Sequence, residues 1–466
     1  MFITIQGKIR STMKKIIIIA ATLFLITEGY SQTTLSLQES KDLAIKNNVH
    51  IKNSALEMEM AQEVKKNAFT NYFPKVSATA FAMRAMDPII KFNMPGGNLP
   101  VYDGNPANLA TATEFAYFPG LNLQLLDRAT VGLLNITQPI FVGGKISNGN
   151  KLAQLGVDVK EKQQQLSLNE TLLKTEQQYW QIVVLQEKEK TIAQYEALLN
   201  DVSKQVKDAF KSGLIIKNDA LKVQIKQSEL RTNKSKLQSG KQLAIRQFCQ
   251  TIGIVYDSAL VLQEDLQNIQ LPNTYYTDIE AALPNRAEYQ LLQQSVKAEQ
   301  LQTKMKRGDY MPQLAVGAAG YSFNSYYEGT NTTTNGLVYG TVSIPISDWW
   351  GGSHAIKEHK IKEQIAENTF NDTKGLLKLQ MEKAWTDVNE SYRQIIMMEE
   401  TVKQTDENLK VMQTSYNSGV VTLSDLLEAQ ALQTETADKL IEAKTQYQLA
   451  ISTYLQVTGT SREVKN

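Results

Sequence analysis

A single cysteine, Cys249, stands in 466 residues, which excludes an intrachain disulfide and any cysteine-based metal cluster. Net charge is nearly absent as well. Lys and Arg number 49 against 48 Asp and Glu, for a formal +1. A nucleic-acid binder carries a basic excess, so nucleic acid is not an expected partner. The charges are interspersed rather than blocked, as on solvated helix faces. Histidine occurs only three times, and the spacing of His354 and His359 splays them on a helix instead of pairing them for a metal. No HExxH, phosphate loop, dinucleotide fingerprint or nucleophile elbow occurs. These absences predict a non-enzyme with no metal site and no cofactor, in which Cys249 is a small buried apolar residue.

A membrane-spanning helix is missing too. The apolar run Ile16–Ile26 follows Lys14 and Lys15 and precedes the small residues of Gly29-Tyr30-Ser31. That three-part layout predicts a secretory signal peptide over 1–31, with Met13 a more conventional start than Met1. The run is too short to cross a bilayer, and no later stretch reaches the roughly eighteen apolar residues a span requires. An exported chain of this kind is either soluble or a membrane β-barrel.

What the chain does contain is one unit twice. Asp42-Leu-Ala-Ile-Lys-Asn47-Asn48 resembles Glu280-Ala-Ala-Leu-Pro-Asn285-Arg286, and Tyr72-Phe-Pro74 resembles Tyr310-Met-Pro312, both displaced by about 238 positions. Gln138-Pro139-Ile140 matches Ile344-Pro345-Ile346 at a displacement of about 206. So do Phe210-Lys-Ser-Gly213 with Tyr416-Asn-Ser-Gly419, Asp219 with Asp425, and Thr251-Ile-Gly253 with Val457-Thr-Gly459. The difference of about 32 residues is extra chain between Pro74 and Pro139, rich in loop and turn chemistry such as Met94-Pro-Gly-Gly and Asp103-Gly-Asn-Pro106. The repeats are placed at 35–257 and 278–460, with a linker at 258–277 and a tail at 461–466.

Each copy reads helix, strand, strand, very long helix, turn, long helix. The strand pairs are expected at Lys75–Met86 with Thr130–Phe141 and at Gln313–Phe323 with Leu337–Ile346. Their period-two alternation over about ten residues suits a tilted membrane strand, and equally a soluble hairpin with one wet face. From about Lys145 to Ser212, and from about Ser353 to Ser418, proline is absent and glycine rare. Met381, Val388, Ile395, Val402, Leu409 and Tyr416 recur every seventh position, as do Leu185, Ile192, Leu199 and Val206. A sustained period of seven predicts coiled-coil packing between long helices. Many partner positions are polar, among them Glu399, Asp406 and Gln413, which fits a thin wall with a wet inner side.

Signal peptide, duplicated strand–strand–long-hairpin unit and heptads together resemble the TolC-like family of outer-membrane efflux proteins, over about Leu35 to Gly459. The resemblance implies an α+β membrane protein: a homotrimer whose chains each give four strands to one twelve-stranded transmembrane β-barrel in outer-membrane lipid. A long α-helical coiled-coil tunnel would continue it through the periplasm. Physics makes the trimer sensible, since four strands cannot close a barrel and open edges do not survive in lipid. The implied function is a passive exit duct working with a periplasmic adaptor and an inner-membrane pump, in efflux or type I secretion. An exported structural coiled-coil protein without a channel is the alternative. The resemblance also assigns adaptor docking to the turns between long helices, at Gly213, Leu214, Gly419 and Val420. It assigns the periplasmic aperture to Asp425 and Glu428, with Tyr416 and Asp219 helping to hold it closed. The arginine that some members carry two residues past the second turn glycine is Val421 here, which implies a different latch. Asp425 and Glu428 also read simply as acidic residues complementing a helix N-terminus. Trp349-Trp350 fits either an interfacial aromatic belt or core packing at a strand-to-helix junction.

Overall fold

Both halves of the chain fold as the repeat dictates, the period of two giving way to a period of seven in each. A computed structural model describes residues 34–460 except 126–127, 214, 264–265, 267–268 and 327–330. The signal peptide, Leu214 and the tail at 461–466 lie outside the described residues. In chain order the first copy contains β1 (Thr34–Leu35), α1 (Leu37–Asn47), α2 (Val49–Phe69), β2 (Lys75–Arg84), β3 (Ile90–Met94), β4 (Gly97–Pro100), β5 (Phe115–Phe118), β6 (Leu121–Leu125), β7 (Arg128–Val142), α3 (Lys145–Lys211) and α4 (Lys217–Ile252). After β8 (Val261–Leu262) and the single turn α5 (Ile279–Ala282), the second copy continues with α6 (Ala287–Asp309), β9 (Gln313–Asn324), β10 (Thr333–Ser343), α7 (Trp349–Asn417) and α8 (Leu423–Val457). Among the described residues no helix is long and apolar enough to cross a membrane. The chain divides into two compact units, one of residues 34–58, 160–292 and 371–460 and the other of 59–159 and 293–370.

The second of these units is built on a four-stranded antiparallel sheet in the order β10-β9-β7-β2. The two strand pairs expected from the sequence are therefore one sheet, joined where β7 meets β9. Val76 lies opposite Ile136, Ile136 opposite Ala318, and Ala318 opposite Val338, so these four share a face. With Ala78, Leu134, Val316 and Val342 they make an apolar band from one edge to the other, bounded on the same face by Gln138 on one side and by Ser322 and Thr334 on the other. It is also uncovered: Val338 is 85% exposed. The opposite face carries Asn135, Thr137 and Tyr339, whose hydroxyl donates to Asn135 Oδ1 at 2.8 Å and lies 3.0 Å from Thr137 Oγ1. The insertion, expected as a loop, is instead an ordered ribbon in which β3 pairs with β6 and β4 with β5. Trp350 stands well exposed at the start of α7, while Trp349 Nε1 donates to the Tyr310 carbonyl at 2.9 Å.

The other unit is helical and carries a core for each repeat. In the first, Tyr179, Ile182 and Val183 of α3 pack with Ile245, Phe248 and Cys249 of α4. In the second, the heptad residues Met381, Val388 and Ile395 of α7 pack with Tyr447, Ala450 and Tyr454 of α8. Burial in the first core pushes the Cys249 thiol up, leaving it uncharged packing material. The matched residues Asn48 and Arg286 play matched parts: each is buried and ties the start of its repeat to a later helix. Asn48 donates to the Thr251 carbonyl at 2.7 Å, and Arg286 to the Leu377 carbonyl at 3.2 Å and Gln380 Oε1 at 2.8 Å.

The second helix of each repeat stops on a glycine in the left-handed region, Gly253 (φ +70°) and Gly459 (φ +66°). Gly253 sits against Asn47 and Gly459 against Asn285, residues that the repeat itself equates. A methyl group at Gly253 would lie 2.4 Å from Asn47 Cβ, whereas one at Gly213, also left-handed (φ +71°), would meet open space. Gly253→Ala is expected to destabilise the protein by about 3 kcal/mol, combining the left-handed penalty with the overlap, and Gly213→Ala by only about 1 kcal/mol. Thermal unfolding of the detergent-extracted variants followed by circular dichroism checks this, and equal losses would contradict it.

Candidate functional site: the two helical turns

The predicted site residues lie at the two turns α3–α4 and α7–α8, and the structure brings those turns together. Both turns are built on a glycine stop. Gly213 donates to the Phe210 carbonyl at 3.0 Å, and Gly419 (φ +73°) donates to Tyr416 at 3.0 Å. In the second turn Val420 also donates to the Ser415 carbonyl at 2.9 Å, completing the six-to-one bond of a Schellman motif. That bond uses the Ser415 carbonyl, and the Val420 side chain points into solvent, 77% exposed. Leu214, the fourth residue expected at the docking tips, lies outside the described residues.

The restart differs between the copies. α8 begins with a reciprocal cap: Thr422 N donates to Asp425 Oδ2 at 2.8 Å, the Thr422 hydroxyl donates to the same oxygen at 2.7 Å, and Asp425 N donates to Thr422 Oγ1 at 3.4 Å. The Thr422 hydroxyl and then its backbone hold the Asp425 carboxyl below the ordinary aspartate range, with the Lys222 charge adding to the effect. α4 has no such cap, because its capping position is Ile216. Its acidic Asp219 sits in the first turn, where negative charge complements the helix dipole.

Beneath the turns a shared apolar core locks the four helix ends. Leu199, Val202 and Val206 of α3 and Val223 of α4 pack with Leu423, Leu426 and Leu427 of α8, and Tyr416 lies against this cluster. Burial raises the Tyr416 phenol first, and the nearby Asp219 charge raises it further. Asp425 and Glu428 are both exposed and one helical turn apart, so neither is sequestered in the core.

Lys222 is the residue that sequence reasoning missed. Its Nζ donates to Ser424 Oγ at 2.9 Å and stands 3.5 Å from Asp219, so one cation spans both turns. The available signal was the repeat itself: the displacement of about 206 that equates Asp219 with Asp425 sets Lys222 against Glu428, an exchange of charge at matched positions. Chemically, the site offers two blunt apolar turns and an acidic cluster bridged by a lysine. Among the described residues there is no cluster of histidine, cysteine or carboxylates able to hold a metal.

Residues 279–460 match the family model described as outer membrane efflux protein, a family of conduits rather than enzymes. No curated protein matches the chain. Among solved structures the chain is similar to the outer membrane protein VceC from Vibrio cholerae, at 14% identity and a TM-score of 0.70 over 91% of this chain and 96% of that one. It is also similar to the CmeC outer membrane channel of Campylobacter jejuni, at 16% identity and a TM-score of 0.72, covering 92% and 87%. The open-state MtrE outer membrane channel of Neisseria gonorrhoeae gives 11% and 0.71, covering 92% and 91%. These likenesses establish a shared fold along nearly the whole chain, including the first repeat.

The cap at Thr422 supplies a local test. A depressed carboxyl stabilises its fold fully above the unfolded value, and that contribution is lost as pH falls through the folded one. For Asp425 the loss therefore lies below the ordinary aspartate value of 3.8. At neutral pH, Thr422→Ala is expected to speed amide exchange in the first turn of α8 about fivefold, with α4 unaffected. Hydrogen-exchange mass spectrometry reads it, and unchanged protection would show that the cap does not hold the turn.

Proposed function

We propose, on the premise that this is a TolC-like member of the outer membrane efflux protein family, that the chain is the outer-membrane exit duct of a tripartite efflux or type I secretion system. Three copies would close their four-stranded sheets into one twelve-stranded barrel. Their paired helical hairpins would form the periplasmic conduit, along which cargo passes from an inner-membrane pump and a periplasmic adaptor. Transport through it is passive, with the energy supplied by the pump.

The single observation that carries this reading is the four-stranded sheet whose outer strands β2 and β10 pair on one side only among the described residues, and which bears an exposed apolar band running from edge to edge across one face. In hydrocarbon every backbone donor and acceptor needs a protein partner, so β2 of one copy must meet β10 of the next until the ring closes. The apolar face of Val76, Leu134, Val316 and Val338 then turns to lipid, and the face bearing Asn135, Thr137 and Tyr339 lines water.

At the helical turns, Gly213, Leu214, Gly419 and Val420 dock the adaptor. Asp425 and Glu428 from three copies would gather about six carboxylates around the mouth, favouring cations without any bond chemistry. Tyr416 and Asp219 steady that mouth. Lys222, bridging Asp219 and Ser424, supplies a cation that Val421 cannot.

Gly419→Pro and Asp425→Arg are expected to abolish efflux while leaving assembly intact, since the turn lies apart from the sheet in the sequence of each repeat. Val338→Arg, on the lipid-facing side, is expected to cost about 2–4 kcal/mol of membrane stability and to reduce the amount reaching the outer membrane. Tolerance of a pump substrate, in a strain dependent on this chain, and fractionation of its membranes read the two effects separately. Undiminished tolerance in both turn variants would sink the docking and aperture assignment. Normal membrane levels of Val338→Arg would sink the lipid-facing one.

A further inference from the structure

Among the described residues the ribbon between β2 and β7 has no counterpart between β9 and β10, so it is not needed to build the sheet. Its register sets Phe92 opposite Leu123 and Met94 opposite Leu121. Ile90, Phe92, Met94, Leu121 and Leu123 consequently fall on one face, and Lys91, Asn93, Asn122 and Gln124 on the other. The apolar face is open: Phe92 is 48% exposed, and Ile90, Met94 and Leu121 are exposed with it. Beyond it the arm is shaped by its own bonds. Asp103 accepts from Asn105 N at 3.0 Å and Asn108 Nδ2 at 2.8 Å, and Asn105 Oδ1 caps the following turn at Ala107 N, 3.1 Å.

A lone two-stranded ribbon is marginally stable in water and needs something packed on its apolar side. β2 alone supplies 10 residues, and about 9–11 tilted residues cross the hydrocarbon, so the ribbon stands beyond the lipid-facing length of the strands. Lipid chains are therefore not the natural cover. The ribbon grows from β2, which is a free edge of the sheet, and on the ring reading that edge receives β10 of the next copy. Ring closure thus brings a second copy of the same chain to the root of every arm, at fixed stoichiometry.

We propose that this arm is a clasp between copies of the chain, its apolar face of Phe92, Leu121 and Leu123 packing on the adjacent protomer beside the paired β2 and β10 edges. The proposal rests on the trimeric duct described above. Each arm offers on the order of 300 Å² of apolar surface, too little to hold two chains by itself but a direct extension of the strand-paired boundary. The arm accordingly slows dissociation and is not the origin of assembly.

The test uses the full-length protein extracted from outer membranes. Phe92→Asn with Leu121→Asn is expected to shorten the half-life of the oligomer in warm SDS about tenfold, whereas Asn93→Ser with Asn122→Ser, on the polar face, leaves it unchanged. In parallel, Phe92→Cys labelled with benzophenone-maleimide is expected to photocrosslink to a second copy, the buried Cys249 staying unlabelled. A stable wild-type oligomer whose half-life ignores the apolar substitutions would overturn the clasp alone, as would crosslinks only to lipid or to a different polypeptide. A wild-type protein with no oligomer at all would overturn the clasp and the duct together.

Discussion

Unpaired backbone at a sheet edge is the constraint on which the rest of this protein depends. Among the described residues β2 and β10 each leave one side of a strand of ten or more residues without a partner, and an apolar band crosses one face of the sheet between them. In water, proteins blunt such edges with charge, proline or covering chain. Lys75 and Arg84 sit only at the ends of β2, and nothing charged interrupts β10. Edges so undefended are consistent with strands meant to be paired by identical copies. Strand number follows from the same constraint: a duplicated two-strand unit yields four, and only a ring of copies removes every edge.

Duplication also explains why so much of the helical unit comes in matched pairs. Gly253 against Asn47 and Gly459 against Asn285 are one contact made twice, whereas the matched Asn48 and Arg286 tie to different helices, Asn48 to α4 and Arg286 to α7. Both residues are buried and bond to the chain of a later helix, one as an asparagine and the other as an arginine. The turns behave differently. One copy keeps a full threonine–aspartate cap while the other begins its helix on Ile216, and Lys222 stands where the second copy has Glu428. The charges displayed at the two turns differ, while the core beneath them is shared by both repeats.

Much of this was legible in the sequence because it is written locally. The long helices announce themselves by heptads and the lack of proline, and their observed bounds, Lys145–Lys211 and Trp349–Asn417, fall close to the expected ones. The strand pairs are legible through their alternation, although their union into one sheet is not, since β7 and β9 lie far apart in the chain. The ribbon escaped because its strands are only four or five residues long and are punctuated by Gly96, Gly97 and Pro100, which read as loop. Lys222 escaped for a different reason: its partner Ser424 is 202 residues away, and an isolated lysine on a helix carries no sign of what it will meet. Asp425 reads in the sequence as acidic charge at a helix N-terminus, and its bonds with Thr422 place it there as the cap; the mouth role rests on the family resemblance alone.

The most direct test of this account is the native mass of the protein in outer-membrane extracts, measured by multi-angle light scattering with the detergent contribution subtracted. Closure of the strand edges predicts a species of three chains confined to the outer-membrane fraction. A monomer or dimer, or the same protein free in the periplasm, would mean that β2 and β10 never meet across copies, and the duct would have no wall.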